Sequence, residues 1–238
     1  MKKFFVFLAL MSTYLYSQEI SSNPTRPSAA DNAYITEYGY TEIELGWFAQ
    51  EDYWSVPALL KITPIKKVEL GFIMSGIVNH SEFFGNSETS VGDFGVQLKG
   101  QLLNVPEMAI ALVGRADFLP ESITRGTIYS AFSFPRNNFQ VDATLGGFFG
   151  INADALDTGF LWAVALGSNF ENPFNFYVEV FGENVKDYTP LTFDAGISYK
   201  ITPTFVIDAA YYSGLNDHAI DWQFHVGFTT TLFKILGR

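Results

Sequence analysis

The feature of this chain that most constrains its fold is an alternation of apolar with small or polar residues, repeated in stretches through residues 40–233. In one stretch, for example, Val96 and Leu98 alternate with Gln97 and Lys99. Side chains on a β-strand point to opposite faces in turn, so each stretch predicts a strand with one apolar and one polar face. The chain is therefore expected to be all-β.

The stretches are long, and their number is even. A strand needs about nine to eleven tilted residues to cross a bilayer, whereas strands of soluble domains commonly have about five or six. The predicted strands are residues 40–49, 55–62, 67–78, 91–102, 108–118, 127–134, 139–149, 159–169, 174–183, 190–200, 205–213 and 219–233. Bacterial single-chain barrels have an even strand number, so the pattern predicts a transmembrane antiparallel up-and-down β-barrel of about 12 strands.

The connections between these strands alternate between short and long. The short ones carry proline or asparagine turn chemistry and are residues 63–66, 104–107, 135–138, 171–173 and 202–204. The longer, polar ones are residues 79–89, 119–126, 150–158, 184–189 and 214–218. Outer-membrane barrels have short periplasmic turns and longer outer loops, so both termini are predicted to be periplasmic.

Aromatic residues on the predicted outer face cluster at the strand ends, where hydrocarbon meets lipid headgroups. Near the loops they are Trp47, Phe118, Phe149, Tyr211 and Trp222, and near the turns Phe139, Phe174, Tyr199 and Phe205. These positions predict two aromatic girdles.

A soluble β-sandwich or lipocalin-like barrel is the alternative fold, because such proteins also show this alternation. Their polar face meets water and is expected to carry Thr, Lys and Glu. The second face here is instead rich in small residues, which suit a crowded lumen: Gly71, Gly95, Ala109, Ala111, Gly146, Ala163, Ala165, Gly196, Ala210 and Gly227.

The N-terminus carries an export signal. A basic start at Lys2 and Lys3 precedes an apolar core that is too short to span a membrane as a helix. The predicted divisions are a signal peptide at residues 1–17, an N-terminal periplasmic or plug segment at 18–39, and the barrel at 40–238. Residues 21–33 lack periodicity and are expected to form a mobile periplasmic tail or, alternatively, to fold into the lumen and gate it.

Composition narrows the function classes. A formal net charge of -11 argues against a nucleic-acid partner. The absence of cysteine excludes a lipoprotein anchor, disulfides and thiolate metal sites, and no apolar run is long enough for a helical span. The predicted location is the bacterial cell outer membrane, with its lipid and, during biogenesis, the barrel-assembly machinery as partners.

Lumen-lining side chains are the residues predicted to carry function. By strand parity the inward acids are Glu42, Glu44, Glu69, Asp93, Asp117, Asp142, Glu179, Glu183, Asp194, Asp208 and Asp221, and the inward bases are Lys61, Lys99, Arg115 and Lys200. Acids outnumber bases, so a water-filled lumen would favour cations or polar neutral solutes over anions. A barrel of about twelve strands should have a narrow or partly blocked lumen.

A local repeat links two of these bases to acids. Lys61 and Lys200 each begin the sequence Lys-Ile-Thr-Pro, and an acid, Glu69 or Asp208, follows each of them across the turn. The two members of each pair could meet across a hairpin as an ion pair. Such pairs would form a charged constriction or, alternatively, fix the strand register.

Short motifs occur in a recognisable order along the chain. They are Thr25-Arg26-Pro27, Tyr38-Gly39-Tyr40, residues 42–46, 58–61 and 68–70, Val91-Gly92-Asp93, residues 177–183 and 193–199, Ile207-Asp208, residues 213–216, and Asp221-Trp222. In this order they resemble the outer-membrane transporters of the MetA-pathway-of-phenol-degradation family. The resemblance implies a barrel that passes small molecules, aromatic or apolar ones among them, across the outer membrane.

The sequence therefore predicts a passive channel or transporter for small solutes, with no cofactor, metal or catalytic site. A closed barrel acting as a surface receptor or structural anchor is the alternative. A third possibility is an outer-membrane hydrolase, for which Ser213, Asp217 and His218 form the best constellation. The solute, the gate and the oligomeric state are left open.

Overall fold

A computed structural model describes residues 20–83, 85–118, 124–151, 156–168, 173–186 and 188–235. The predicted signal peptide, residues 1–17, lies outside the described residues. Within the described part of the chain, no helix is long and apolar enough to cross a bilayer.

The described chain forms one antiparallel sheet of 15 strands. In chain order they are β1 (Tyr40–Gln50), β2 (Tyr53–Ser55), β3 (Ala58–Ile65), β4 (Val68–Met74), β5 (Asn79–Phe83), β6 (Asn86–Ser90), β7 (Phe94–Val105), β8 (Met108–Phe118), β9 (Thr124–Arg136), β10 (Phe139–Ile151), β11 (Leu156–Ser168), β12 (Phe174–Asn184), β13 (Leu191–Thr202), β14 (Phe205–Gly214) and β15 (Trp222–Lys234). All except β2, β5 and β6 form a barrel, which closes where β15 pairs with β1. The predicted twelve-stranded all-β barrel is confirmed.

Strands β2, β5 and β6 extend the sheet at the loop end of the barrel. The prediction of a loop at residues 79–89 is therefore wrong, because these residues form most of the β5–β6 hairpin. Every residue of β6 is exposed, so this strand has no apolar face for a period-two pattern to reveal. Strand β5 pairs with β2, and the ring of Trp54 stacks on that of His80 with their centroids 5.4 Å apart. Both contacts hold the hairpin in place.

Side chains alternate between the outer face and the lumen as the sequence predicts. On β7, Leu98 is 51% exposed whereas Lys99 is fully buried. Leu70, Phe72 and Ile197 also expose large apolar surface on the outer face. Such a continuous apolar exterior is expected to contact lipid hydrocarbon rather than water.

The predicted outward aromatic residues lie on this exterior near the strand ends. The exposed ones are Trp47, Phe118, Phe149, Tyr211, Trp222, Phe139, Phe174 and Tyr199. Phe205 is half-buried, with its ring centroid 5.6 Å from that of Phe228. The two predicted girdles are therefore present on the outer surface.

The short turns gather at one end of the barrel, and among them are residues 66–67, 106–107, 137–138 and 203–204. The first turn begins later than predicted, because β3 continues through Pro64 to Ile65. A register irregularity between Ile62 and Ile65 accommodates the proline, which cannot donate to a regular ladder. Strand β1 begins and β15 ends at this turn end, and its periplasmic orientation stays a prediction.

We predict that an arginine on the outer face destabilises the barrel according to its depth in the bilayer. Ile197 lies in the middle of β13 and Ile201 near its turn end, and they are 50% and 51% exposed. Ile197→Arg should lower the free energy of unfolding by about 2–4 kcal/mol, but Ile201→Arg by only about 0–1 kcal/mol, because only the first charge sits near the midplane. Denaturant unfolding in lipid vesicles measures both. Equal losses at the two positions would contradict a lipid-facing exterior.

Candidate functional site: the barrel lumen

The predicted lumen residues lie on the inner face of the barrel strands, with two exceptions. The almost fully buried ones are Glu42, Glu44, Lys61, Glu69, Lys99, Asp117, Glu179, Asp194 and Asp208. Those of intermediate exposure are Asp93, Arg115, Asp142, Glu183 and Lys200. Asp93 precedes β7 and so lies at the loop end of the wall. Asp221 is exposed and precedes β15, so it lies at the loop-side rim rather than in the lumen.

The chain itself buries these side chains. Residues 20–39, here called the lumen segment, run inside the barrel before β1 begins. The Ser22 amide donates to the Pro203 carbonyl (2.8 Å) at the turn end, and the Gly39 amide donates to the Thr63 carbonyl (2.9 Å) at the same end. Of the two alternatives that the sequence leaves open for this stretch, the contacts correspond to a segment folded into the lumen.

The first part of the lumen segment binds a buried charge cluster on β1 and β3. Lys61 Nζ lies 2.5 Å from one carboxylate oxygen of Glu42 and 2.5 Å from one of Glu44, and all three side chains are fully buried. Lys61 also donates to the Asn23 carbonyl at 2.5 Å. The amides of Asn23 and Thr25 donate to Glu42 and Glu44, each at 2.9 Å. Every charge in the cluster therefore has partners, as burial requires.

Arg26 occupies a space that two glycines leave open in the wall. Gly46 and Gly227 are partners across β1 and β15. A Cβ atom on Gly46 would overlap the Arg26 guanidinium. The guanidinium donates to the Val226 carbonyl at 3.2 Å and lies 3.5 Å from the Asp208 carboxylate. The glycine pair therefore allows this arginine to lie directly against the sheet.

Glu179 on β12 holds the middle of the lumen segment. Its carboxylate accepts both amides of residues 29–30 and the Ser28 hydroxyl, the last at 3.1 Å. The Tyr212 hydroxyl donates to the Pro27 carbonyl next to these contacts. One inward acid thus satisfies three donors of the segment.

Asp31 fixes the segment against the opposite wall. Its carboxylate lies 2.8 Å from Lys99 Nζ and accepts the Tyr129 hydroxyl at 3.1 Å. Its amide donates to the Thr144 hydroxyl at 3.0 Å. Here the segment supplies the acid and the wall supplies the base, the reverse of the arrangement at Arg26.

Small wall residues let the lumen segment approach closely. Two clusters of buried alanines join the segment to the wall, one of Ala33 with Ala109, Ala111 and Ala131, and one of Ala30 with Ala163 and Ala165. Larger side chains at these wall positions would occupy the space of the segment, because interiors are close-packed. The small residues on the predicted inner face therefore form the wall surface against which the segment packs.

Two cavities flank the lumen segment. The loop-side cavity has a volume of about 420 Å³, and its walls include Phe48, Met74, Arg115 and His225. The turn-side cavity has a volume of about 50 Å³. Residues 25–28 line both, so the segment lies between them.

The acids of the predicted hairpin ion pairs have other contacts in the structure. Glu69 accepts the amide of Thr36 at 2.6 Å, while the ion pairs of Lys61 are those on β1. Asp208 stands opposite Ser198 in the strand register and pairs with Arg26. The predicted ion pairs lay within single hairpins. Partners from the lumen segment could not be predicted in this way, because the segment is not part of any hairpin.

Arg125 is an inward residue that the sequence analysis missed, because residues 119–126 were assigned to a loop. Strand β9 begins at Thr124, which places Arg125 on the wall. Its guanidinium lies 2.6 Å from Glu183 and 4.1 Å from the centroid of the Phe148 ring. Tyr129 faces the lumen, and residues four positions apart on a strand share a face. A longer predicted strand would therefore have identified Arg125 as inward.

Of the best hydrolase constellation, Ser213 lies on β14, whereas Asp217 and His218 lie in the loop before β15. His218 Nδ1 accepts the Thr189 amide at 3.3 Å, and its ring lies 5.5 Å from that of Tyr188. Among the described residues, no hydrogen bond joins His218 to Ser213 or Asp217. These contacts hold the loop in place and do not form the nucleophile–base pair that a hydrolase needs.

Comparisons with known proteins agree with the barrel. No family model and no curated protein sequence matches the chain, so the resemblance to the MetA-pathway family stays a prediction. The fold is similar to a KdgM porin in complex with disordered oligogalacturonate (12% identity, TM-score 0.63, 81% of this chain and 99% of that chain). It is also similar to a NanC porin (10%, 0.61, 81% and 100%) and to an outer membrane channel from Pseudomonas putida F1 (9%, 0.66, 88% and 100%).

At such low identities the likeness concerns the fold alone. It is a fold of outer-membrane barrels, and it points to the bacterial outer membrane as the location.

We predict that removing the charge of Lys61 strongly destabilises the barrel. Lys61→Met leaves Glu42 and Glu44 buried without a counter-charge, which should lower the free energy of unfolding by about 3–5 kcal/mol. The matched control is Lys66→Met, because Lys66 is exposed at the adjacent turn and should change stability by less than about 0.5 kcal/mol. Denaturant unfolding in vesicles compares the two variants. A Lys61→Met barrel as stable as the control would refute the buried cluster.

Proposed function

We propose that this protein is a passive outer-membrane channel for small solutes, and that the lumen segment closes it. The observation that carries the proposal is the position of residues 25–28, which separate a loop-side cavity of about 420 Å³ from a turn-side cavity of about 50 Å³. Movement of this one stretch would connect the two cavities through the barrel.

The width of the barrel supports a path through it. Barrels of about eight strands are filled by their own side chains, whereas those of about sixteen to eighteen hold an open aqueous channel. This barrel of 12 wall strands lies between these cases. Its small inward residues, such as Ala109 and Ala163, fill little of the interior, and the segment packs against them between the two cavities.

The contacts of the segment are of a kind that can be broken without unfolding the wall. They are mainly hydrogen bonds from backbone amides to side chains, as at Glu44, Glu69 and Thr144. A bond to a hydroxyl contributes a net of about 0.5–1.5 kcal/mol and one to a carboxylate about 1.5–3 kcal/mol, since water can replace the partner. The strand ladders of the barrel do not depend on these bonds.

The chemistry of the wall indicates which solutes would pass. Inward acids outnumber inward bases, and carboxylate-lined pores favour cations or polar neutral molecules. We therefore do not propose oligogalacturonate, the molecule in complex with the similar KdgM porin, as a solute of this channel. Passage of aromatic or apolar molecules is what the family resemblance implies. Insertion of the barrel by the cellular barrel-assembly machinery is part of the same proposal.

A closed barrel acting as a receptor or anchor is the second candidate, and the filled lumen favours it. The projecting β5–β6 hairpin would then be the part that meets a partner. The two candidates differ in one respect, because an anchor has no need of a segment that moves. Flux through the protein separates them.

We predict that a disulfide between segment and wall closes the channel reversibly. Ala30 and Ala163 lie in one buried cluster, and the chain has no cysteine of its own. In the Ala30→Cys/Ala163→Cys variant, oxidation should abolish solute flux and reduction should restore it, because the bond holds residues 25–28 between the cavities. Liposome swelling and planar-bilayer conductance measure the change.

The matched controls are the two single-cysteine variants, whose flux should not respond to oxidant. Equal flux of the oxidised and reduced double variant would show that the segment is not the gate. A protein that conducts in neither redox state, with the single variants equally silent, would contradict the channel and favour the anchor.

A further inference from the structure

We propose that Glu179 and Asp194, together with the rings of Tyr177, Phe181 and Tyr212, form a binding site for small organic cations that carry a primary ammonium group. We call these five residues the lumen cage. The inference deepens the proposed function by naming a solute class, and it rests on that function for access of the solute to the lumen.

The two carboxylates of the cage stand next to each other on the inner face of the barrel. Glu179 and Asp194 are direct partners in the register of β12 and β13, and Tyr212 is the partner of Asp194 on β14. Partner side chains on one face of a sheet have their Cβ atoms about 4.5–5.5 Å apart. Both acids are at most 1% exposed. The two acids therefore lie side by side on the inner wall, where bulk water does not reach them.

The charge of this space is not balanced. Glu179 accepts only uncharged donors, all from residues 28–30. No donor reaches either oxygen of Asp194 in hydrogen-bond geometry, and the buried hydroxyl of Tyr177 has no such partner either. The side chains next to Asp194 are Glu179, a second acid, and Tyr212, whose hydroxyl donates to Pro27. A buried carboxylate without donor or counter-charge is strongly disfavoured, and a second acid beside it adds repulsion. A cation placed between the two acids would remove both penalties.

Aromatic rings form the other sides of the cage. The Tyr177 ring covers Gly196, where a Cβ atom would overlap it. The rings of Phe181 and Tyr212 lie 6.0 Å apart and nearly perpendicular, at 78°. Ring faces attract cations and also pack against alkyl groups. Rings and acids together therefore suit a cation with a hydrocarbon part.

The lumen segment shows how a donor group fits beside Glu179. Residues 28–30 present three N–H or O–H donors to it and bring no charge. A primary ammonium group carries three N–H donors on one charged centre. It can therefore replace the segment at Glu179 and neutralise Asp194 at the same time. Binding of such a solute competes with the segment, which links binding to opening.

A metal ion fits the cage less well. Within the described residues, no group of three or more His, Asp or Glu side chains is placed to hold a metal. Calcium and magnesium take about six or more oxygen ligands, whereas the cage offers two carboxylates and two tyrosine hydroxyls. The remaining competitor is a proton shared between the two acids, which would leave no site for an organic cation.

Calorimetric titration of the purified full-length protein with n-butylammonium chloride near neutral pH tests the cage. Wild-type protein should bind it saturably, and n-butanol, which lacks the charge, should not bind. Asp194→Asn should weaken binding about tenfold to hundredfold, since hydrogen bonds to charged groups are the strong ones. The matched control Asp221→Asn removes the same charge at the exposed rim and should leave the affinity unchanged.

A second variant tests the competition. The Ser133 hydroxyl accepts the Ala33 amide at 2.9 Å, on β9, three strands along the wall from β12 of the cage. Ser133→Ala should loosen the segment and raise the apparent affinity for butylammonium by up to about tenfold.

The outcomes separate the cage from the channel. Absence of saturable binding to both the wild type and Ser133→Ala, or equal binding by wild type and Asp194→Asn, overturns the cage. If flux is nevertheless seen in the disulfide experiment, the channel stands without it. Saturable binding that depends on Asp194, in a protein that never conducts, supports the cage as a ligand site and contradicts the channel.

Discussion

A carboxylate that has left bulk water needs hydrogen-bond donors, and this requirement organises the inside of the barrel. The backbone amides of a closed barrel are already used in its sheet. The wall therefore cannot satisfy its acids with its own amides. The lumen segment can, because Glu42, Glu44, Glu69 and Glu179 each accept at least one of its backbone N–H groups. The wall acids therefore determine where the segment lies, and the segment supplies the donors that allow these acids to be buried.

The shape of the wall complements this electrostatic arrangement. Where the segment must lie close, the wall has alanine or glycine, as at Ala131 and Gly46. Where the segment needs an acceptor or a counter-charge, the wall has a polar side chain that reaches inward, as at Glu179 and Lys99. The exception is Asp194, whose oxygens receive no hydrogen bond in ordinary geometry and which lies beside a second acid, Glu179. Glu42, Glu44, Glu69, Glu179 and Asp208 each have at least one carboxylate oxygen in a hydrogen bond or ion pair, so the lack of any at Asp194 points to a ligand.

The sequence predicts the wall well and the lumen poorly, for a physical reason. A bilayer requires one continuous apolar face, so Leu98 and Lys99 can be assigned to opposite sides from periodicity alone. The β5–β6 hairpin has no apolar face, and parity could not reveal it. The lumen segment has no period either, because its partners are remote in the chain, as with Ala29 and Glu179, 150 residues apart. The sequence shows which side chains face the lumen, but it does not show which partners they contact there.

The central claim is that wall side chains hold the amides of the lumen segment, and amide hydrogen exchange of the full-length protein in lipid tests it most directly. The amides of Thr25, Ala29, Asp31, Ala33 and Thr36 each donate to a wall side chain. They should exchange at least about a hundredfold more slowly than the same amides in a free peptide of residues 20–39, since exchange requires each bond to open. Exchange of all five at the rate of the free peptide would contradict the account.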